Sequence, residues 1–237
     1  MTLSVLLPPL RARFRALEEE RERKWPPEAL ALGVNQRAIL VREQARAGDT
    51  VRRGDVLPPA VLVDVQGRTY SLDTLLASGP IVLIVFRFGE CPACNIALNH
   101  YRDTLWPALK AAGVPLVAIS GQPAPALQAF RERLALEFPV LTDNGLTLLR
   151  ALGLTYTYDE ASRKAAIARG DDSAPLNGLP DTWELPKPAV LILEPGRIVD
   201  FVDISPDWLD RTETEQVLDA LGLDNNDTEK HTKRGSL

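Results

Sequence analysis

The 237 residues contain two cysteines, and both fall in one short motif, Cys91-Pro92-Ala93-Cys94. A buried β-branched run, residues 81–86, precedes them and a long helical pattern follows, so the pair sits at a strand-to-helix turn. The first turn of a helix leaves several backbone N–H groups without partners, and a thiolate placed there is stabilised. A second cysteine one turn further on can attack a mixed disulfide or a sulfenic acid formed on the first. Pro92 suits this position, because the first helical turn loses nothing when an N–H is missing. The chemistry implied is that of a redox dithiol. Two blander readings compete with it. Free cysteines are often small buried hydrophobes, and a structural zinc site would need further ligands. The two histidines are His100, on the helix after the motif, and His231, near the C-terminus. They fill no four-ligand set with the cysteines, so no metal site is expected.

The elements needed to hold such a turn are legible around it. Gln66-Gly67 separates two short strand patterns, residues 60–65 and 68–71, which predicts a hairpin. Ser71 can cap a short helix over 72–77, ended by Gly79-Pro80. The helix after the cysteines runs to Ala112, with Pro107 expected to bend it and Gly113 to close it. Strands are expected at 115–120 and 138–142, with helices at 124–136 and 146–152. Such alternation argues for a parallel sheet covered on both faces. Residues 189–193 and 198–202 flank the turn Glu194-Pro195-Gly196 as an antiparallel pair, which makes the sheet mixed, and a helix follows over 212–221. Residues 155–186 show little periodicity and read as a long loop.

Ahead of this domain, helical patterns over 10–24 and 28–47 form an arm with a thin apolar stripe of Leu10, Phe14 and Leu17. The expected organisation is a helical extension at 1–54, one α/β domain at 55–223 and a polar tail at 224–237. A net charge of −5 argues against a protein whose affinity rests on neutralising phosphates. The longest apolar run is far short of the roughly 20 residues of a membrane-spanning helix. The N-terminal stretch lacks the pattern of a secretory leader, so the expectation is a cytoplasmic protein with neither nucleic acid nor membrane as partner. In a reducing compartment, the cysteines are more readily catalytic than structural.

Several segments together resemble the thioredoxin superfamily, in its peroxiredoxin-like branch of alkyl hydroperoxide reductase and thiol-specific antioxidant proteins. They are residues 81–86 with Arg87-Phe88-Gly89-Glu90-Cys91-Pro92-Ala93-Cys94-Asn95, then Leu116-Val117-Ala118-Ile119-Ser120, Phe138-Pro139-Val140-Leu141-Thr142-Asp143 and Trp183-Glu184-Leu185-Pro186-Lys187-Pro188-Ala189. The resemblance covers roughly 55–221 and implies an α/β, thioredoxin-like three-layer fold. That fold would have a mixed central sheet, a peroxiredoxin-type N-terminal hairpin and the added helical arm.

It also implies that Pro188 is a cis-proline facing the cysteines, turning the Lys187 backbone toward a bound substrate. Composition alone would favour a trans bond there. Two family features are not evident: the Pro-x-x-x-Thr/Ser-x-x-Cys motif, and an Arg near the last strands, where Pro188 falls instead. Arg87 is a candidate for electrostatic help, with a surface role as its competitor. Glu90 stands where relatives carry Trp. About 6 Å from the sulfur, at an effective dielectric of about 40, its carboxylate would oppose a thiolate by roughly 1.4 kcal/mol. A solvated Glu90 pointing away is the alternative.

The expected function is that of a thiol-dependent antioxidant enzyme without a cofactor. Cys91 would attack a hydroperoxide or a disulfide, Cys94 would resolve the product as an intramolecular disulfide, and an external thiol donor such as a thioredoxin or glutathione system would reset it; the peroxiredoxin spacing leaves Cys94 as the alternative nucleophile. The competing readings are a protein disulfide reductase and, from another class, a metal-binding thioredoxin-fold protein. The striped arm could dock on a second copy of the chain as a homodimer.

Overall fold

The computed structural model describes residues 7–223; the polar tail and His231 lie outside the described residues. Chain order begins with two helices, α1 (Leu10–Lys24) and α2 (Pro27–Gln44). The hairpin β1 (Val61–Asp64) and β2 (Thr69–Ser71) follows, then α3 (Leu72–Leu75), β3 (Ile81–Val85), α4 (Pro92–Ala112), β4 (Leu116–Ser120), α5 (Ala124–Arg133), β5 (Val140–Thr142) and α6 (Thr147–Ala151). The chain continues through β6 (Thr155–Thr157), α7 (Glu160–Ala168), α8 (Ala174–Asn177), β7 (Glu184–Pro186), β8 (Ala189–Glu194), β9 (Ile198–Ile204) and α9 (Thr214–Ala220).

Seven strands form one sheet in the order β2-β1-β5-β4-β3-β8-β9. Pairing is parallel from β3 to β4 and from β4 to β5, and antiparallel from β3 to β8, β8 to β9 and β1 to β5, so the sheet is mixed as expected. Strand β3 shows why it is central. Its side chains alternate, with Val82 and Ile84 entering one core and Ile81, Leu83 and Val85 the other. The first core is closed by α1, α4, α5 and α9 through Phe14, Leu98, Leu127 and Val217. The second is closed by α3 and α6 through Leu72, Leu148 and Leu149. Three layers result.

Helix α4 starts with Cys91 as its N-cap and Pro92 at its first position, runs through Pro107 as one element, and ends on Gly113 in the left-handed region. Ser71 caps α3 as expected, its hydroxyl accepting from the Thr74 amide at 3.0 Å.

The segment 155–186 is not the loop that its weak periodicity suggests. β6 pairs antiparallel with β7 through Thr155↔Pro186 and Thr157↔Glu184, and α7 between them is capped by Asp159, which accepts from the Ser162 amide at 2.7 Å. Strands of three residues and a helix of nine give too few repeats for either period to register.

The arm is built into the domain. Leu10, Phe14 and Leu40 are buried in the core that also holds the cysteines. The Glu213 carboxylate accepts from the backbone amides of Leu10 at 2.8 Å and Arg11 at 3.0 Å, capping α1 from across the molecule. Arg37 joins Glu18 of α1 to Asp207 beyond β9. The end of the arm is fixed at Gly153, whose φ of +65° and whose separation of 2.9 Å from an added Cβ to the Thr50 Cα leave room for glycine alone. The stripe proposed to dock on a second copy is thus occupied by the chain's own core.

Candidate active site

Parallel pairing of β3 with β4 brings the turn after β3 to one end of the sheet, and several side chains hold it there. Ser120 Oγ donates to the Arg87 carbonyl at 3.0 Å, and the Gly89 amide donates to Gln122 Oε1 at 2.6 Å. Asn95 Nδ2 donates to the carbonyls of Gly89 and Cys91, both at 2.7 Å, and Arg133 reaches Gly89 O at 2.8 Å. An added Cβ on Gly89 would come within 3.0 Å of Phe130, so the turn also packs tightly on α5.

The cysteines are free thiols, Cys91 2% exposed and Cys94 0% exposed. Two buried guanidiniums face them. Arg87 Nη1 donates to Cys91 Sγ at 3.6 Å, while its Nε donates to Tyr156 Oη at 2.6 Å and its Nη2 to Tyr158 Oη at 3.4 Å. The Trp208 ring lies 4.0 Å from the Arg87 guanidinium carbon. Arg211 Nη2 donates to Cys94 Sγ at 3.6 Å, and its Nε to the Trp208 carbonyl at 2.8 Å. Among the described residues neither cation has a carboxylate partner within ion-pair distance. A buried cation is costly unless an anion or hydrogen bonds compensate it; here the Tyr156 and Tyr158 hydroxyls and the two cysteine sulfurs accept from these guanidiniums.

The two thiols are driven apart. A hydrogen bond from the Cys94 thiol holds Cys91 well below the ordinary thiol value; burial opposes this, and the charges of Arg87 and Arg211 add to the lowering. The Cys94 amide also faces the Cys91 sulfur, though short of a true capping bond. Burial pushes Cys94 well above the ordinary value, and donating its proton to Cys91 pushes the same way. One sulfur is poised as thiolate and the other as thiol. Burial also works against the charge of Arg87, but the surrounding phenol and thiol groups, Tyr156 foremost, outweigh it and keep the guanidinium charged.

The residues expected to carry chemistry are only partly brought together. Arg87, Cys91 and Cys94 meet. Glu90 is exposed, and its Oε2 accepts from Gln122 Nε2 at 3.1 Å; Gln122 also donates to Pro175 O, so this carboxylate is engaged with the α5 side of the turn. Pro188 is buried immediately before β8, where Ala189 pairs with Val85 at the cysteine end of β3. Its peptide bond is trans, as are all those of the described residues, which corrects the cis geometry implied by the resemblance. The Lys187 backbone amide donates to the Leu154 carbonyl at 2.7 Å, and its ammonium donates to Gln44 Oε1 of the arm at 3.0 Å and to Gly153 O at 3.1 Å. His100 is buried in α4 as a packing residue, and burial lowers its pKa.

Sequence reading missed Arg211, Tyr156, Tyr158 and Trp208. Pro188 does fall where the resemblance would put the family's Arg, and the second guanidinium comes instead from Arg211, in the segment between β9 and α9. No local pattern marks it, because β8 and β9 must first fold back beside β3. The arm adds Arg21, which stacks over Trp25 at 4.9 Å; burial lowers its pKa, and the nearby Cys91 counteracts that. A cavity of about 490 Å³ opens between α2, α7 and the Arg87 side of the site.

This geometry can be compared with known proteins. The profile of the AhpC/TSA family matches residues 53–202. The chloroplastic peroxiredoxin Q of Sedum lineare is 31% identical over 104 residues, 44% of this chain and 55% of that protein. The thiol-disulfide oxidoreductase ResA of Halalkalibacterium halodurans is 31% identical over 104 residues, 44% of this chain and 57% of that protein. The chain thus spans about half the length of these relatives. Among solved structures, the peroxidoxin BcpB of Mycobacterium tuberculosis superposes with a TM-score of 0.55 at 22% identity, covering 73% of this chain and 96% of that one. A peroxiredoxin-like protein from Aquifex aeolicus gives 0.54 at 17% identity, covering 75% and 90%. These likenesses bear on the fold, which is the expected thioredoxin-like one, while the profile covers more than half of the sequence. The chain belongs to the AhpC/TSA family.

Proposed function

We propose that the protein is a thiol-dependent peroxidase in which Cys91 is the nucleophile and Cys94 the resolving thiol. The observation that carries this reading is the donation from Arg87 Nη1 to Cys91 Sγ in a site where, among the described residues, the buried cation has no carboxylate to pair with. The Cys91 thiolate attacks a peroxide oxygen, the O–O bond breaks, and the sulfur becomes a sulfenic acid while the departing oxygen takes up a proton. The Cys94 sulfur then displaces water from that sulfenic acid, leaving the Cys91–Cys94 disulfide. An external thiol donor, of the thioredoxin or glutathione kind, returns both to thiols, and a reducing compartment such as the cytoplasm would supply it. Arg87 stabilises the thiolate and the charge that develops on the departing oxygen; Arg211 does the same for the thiolate that Cys94 must become.

Likeness to a thiol-disulfide oxidoreductase raises a second reading, in which a partner protein's disulfide is the substrate. The near-complete burial of both sulfurs favours the smaller oxidant, because a protein disulfide cannot reach a sulfur that is 2% exposed without rearrangement. Metal binding is less favoured still: among the described residues no group of three or more His, Cys, Asp or Glu side chains is placed to hold an ion. The test is to add one equivalent of hydrogen peroxide to the reduced protein and count thiols. Loss of both thiols together with the mass of two hydrogens is expected. Two intact thiols after minutes at micromolar concentration would reject peroxidase activity in favour of disulfide exchange.

A further inference from the structure

We propose that Trp208 is a positioning residue for both guanidiniums of the dithiol site, and that the N-terminal arm holds it in place through the ion pair of Arg37 with Asp207. This rests on the dithiol site described above and not on the identity of its oxidant. Residues 205–213 cross the cysteine end of the sheet as an irregular strap, with no helix or strand to fix them. Side chains must therefore hold this segment, and those side chains decide where its cargo sits.

Trp208 is the point at which the two cations meet. Its ring lies 4.0 Å from the Arg87 guanidinium carbon, and its backbone carbonyl accepts from Arg211 Nε at 2.8 Å. Beyond it, Arg87 donates to Cys91 Sγ and Arg211 to Cys94 Sγ, both at 3.6 Å. In a buried site the attraction between charge and sulfur falls off with every increment of separation and is little screened by solvent. A strap that shifts takes the mount of both cations with it.

The ends of the strap are tied to the domain: the Ser205 amide donates to the Pro188 carbonyl at 2.8 Å, and the Thr212 carbonyl accepts from Tyr101 Oη at 2.6 Å. Its middle is tied to the arm. Asp207 Oδ1 accepts from the Leu209 amide at 2.9 Å, which folds the turn around Trp208, and from Arg37 Nη1 at 3.2 Å. The Arg37 side chain is 14% exposed, so this is not the solvated surface pair that contributes nothing. The Trp208 ring also lines the cavity of about 490 Å³ and a smaller one of about 120 Å³ beside α1, so there is free volume for it to move into if the strap is released. Arg37, Asp207, Trp208 and Arg211 all lie outside the span 53–202 matched by the family profile, so this mount belongs to the added parts of the chain.

The test reads the pH midpoint of Cys91 alkylation by iodoacetamide in the reduced full chain, with the modified residue located by peptide mass spectrometry. Arg37→Met and Asp207→Ala, both at partly exposed positions, change the local charge in opposite senses. Through its field alone, loss of the Arg37 cation would raise the Cys91 midpoint and loss of the Asp207 anion would lower it. Release of the strap raises it in both variants, by about half a unit, which is about threefold less thiolate at a pH below the midpoint. Trp208→Leu, which removes the ring and keeps the carbonyl, should raise it at least as far. Arg37→Lys retains a cation for Asp207 and should restore most of the shift seen in Arg37→Met. Glu18→Gln removes the other partner of Arg37 and should not raise the midpoint. A midpoint lowered or unmoved in Asp207→Ala overturns the proposal. So does a rise in Glu18→Gln equal to that in Arg37→Met, which would make arm docking in general the cause. No peroxide enters this experiment, so its outcome is separate from that of the peroxidase test.

Discussion

At the scale of single residues, the proposed chemistry depends on an asymmetry between two sulfurs that the motif alone does not fix. Cys91 and Cys94 were legible because the strand, turn and helix around them are contiguous in sequence. The groups that separate their proton affinities were not, since Arg211 and Trp208 arrive from beyond β9 and Tyr156 from a strand of three residues. Removing the charge of Arg87 removes an influence that lowers the Cys91 pKa, so Arg87→Met should raise it by about a unit or more. The pH dependence of alkylation by a neutral reagent measures this, and an unmoved midpoint would show that the cation is irrelevant to the thiolate. Stability carries the same signature. The folded pKa of Cys91 lies below its unfolded value, so the thiolate's stabilisation is complete above the ordinary value near 9.0 and is lost as pH falls through the folded pKa. The melting-temperature advantage of the reduced wild type over Cys91→Ser should therefore widen as pH rises toward 9.0, and a gap independent of pH would contradict the assignment. Glu90, turned to Gln122, is expected to shift Cys91 less than Arg87 does when changed to Gln.

Among the elements, those with several turns or a continuous β-branched run were readable from periodicity alone. The arm helices, α4, β3 and β4 are of this kind. What could not be read is how deeply the arm is embedded: a stripe as thin as Leu10, Phe14 and Leu17 suggests loose docking, yet the first two are buried against the layer that holds the cysteines. Phe14→Ala should accordingly cost about 3–5 kcal/mol. Denaturant titration of the reduced protein would register it, and a loss close to zero would mean that the arm is peripheral. The anchor at the arm's end makes a separate case. Gly153→Ala combines a left-handed backbone with a backbone approach that admits no methyl group, and should cost about 1–3 kcal/mol through the conformation alone. The trans geometry at Pro188, in place of the cis bond that the resemblance implied, belongs to this scale too. Because β8 runs antiparallel to β3 from Ala189, Pro188 is placed at the cysteine end by register whatever the isomer of its peptide bond.

For the whole molecule, a mixed sheet between two layers of helices brings four sources of side chains to one end: the β3–α4 turn, β6 with Tyr158 after it, the segment after β9, and the arm. The architecture was accessible from the alternation of strands and helices, but the meeting of these four was not, since it depends on strand order rather than on any local pattern. Their convergence makes a buried, cation-lined dithiol, and a pair so enclosed suits an oxidant small enough to enter a cavity. The most direct measurement is the rate of thiol loss when the reduced protein meets hydrogen peroxide, followed across pH. Oxidation to the Cys91–Cys94 disulfide, with a rate midpoint well below the ordinary thiol value near 9.0, is the predicted result. No disulfide, or a midpoint at that ordinary value, would contradict the account.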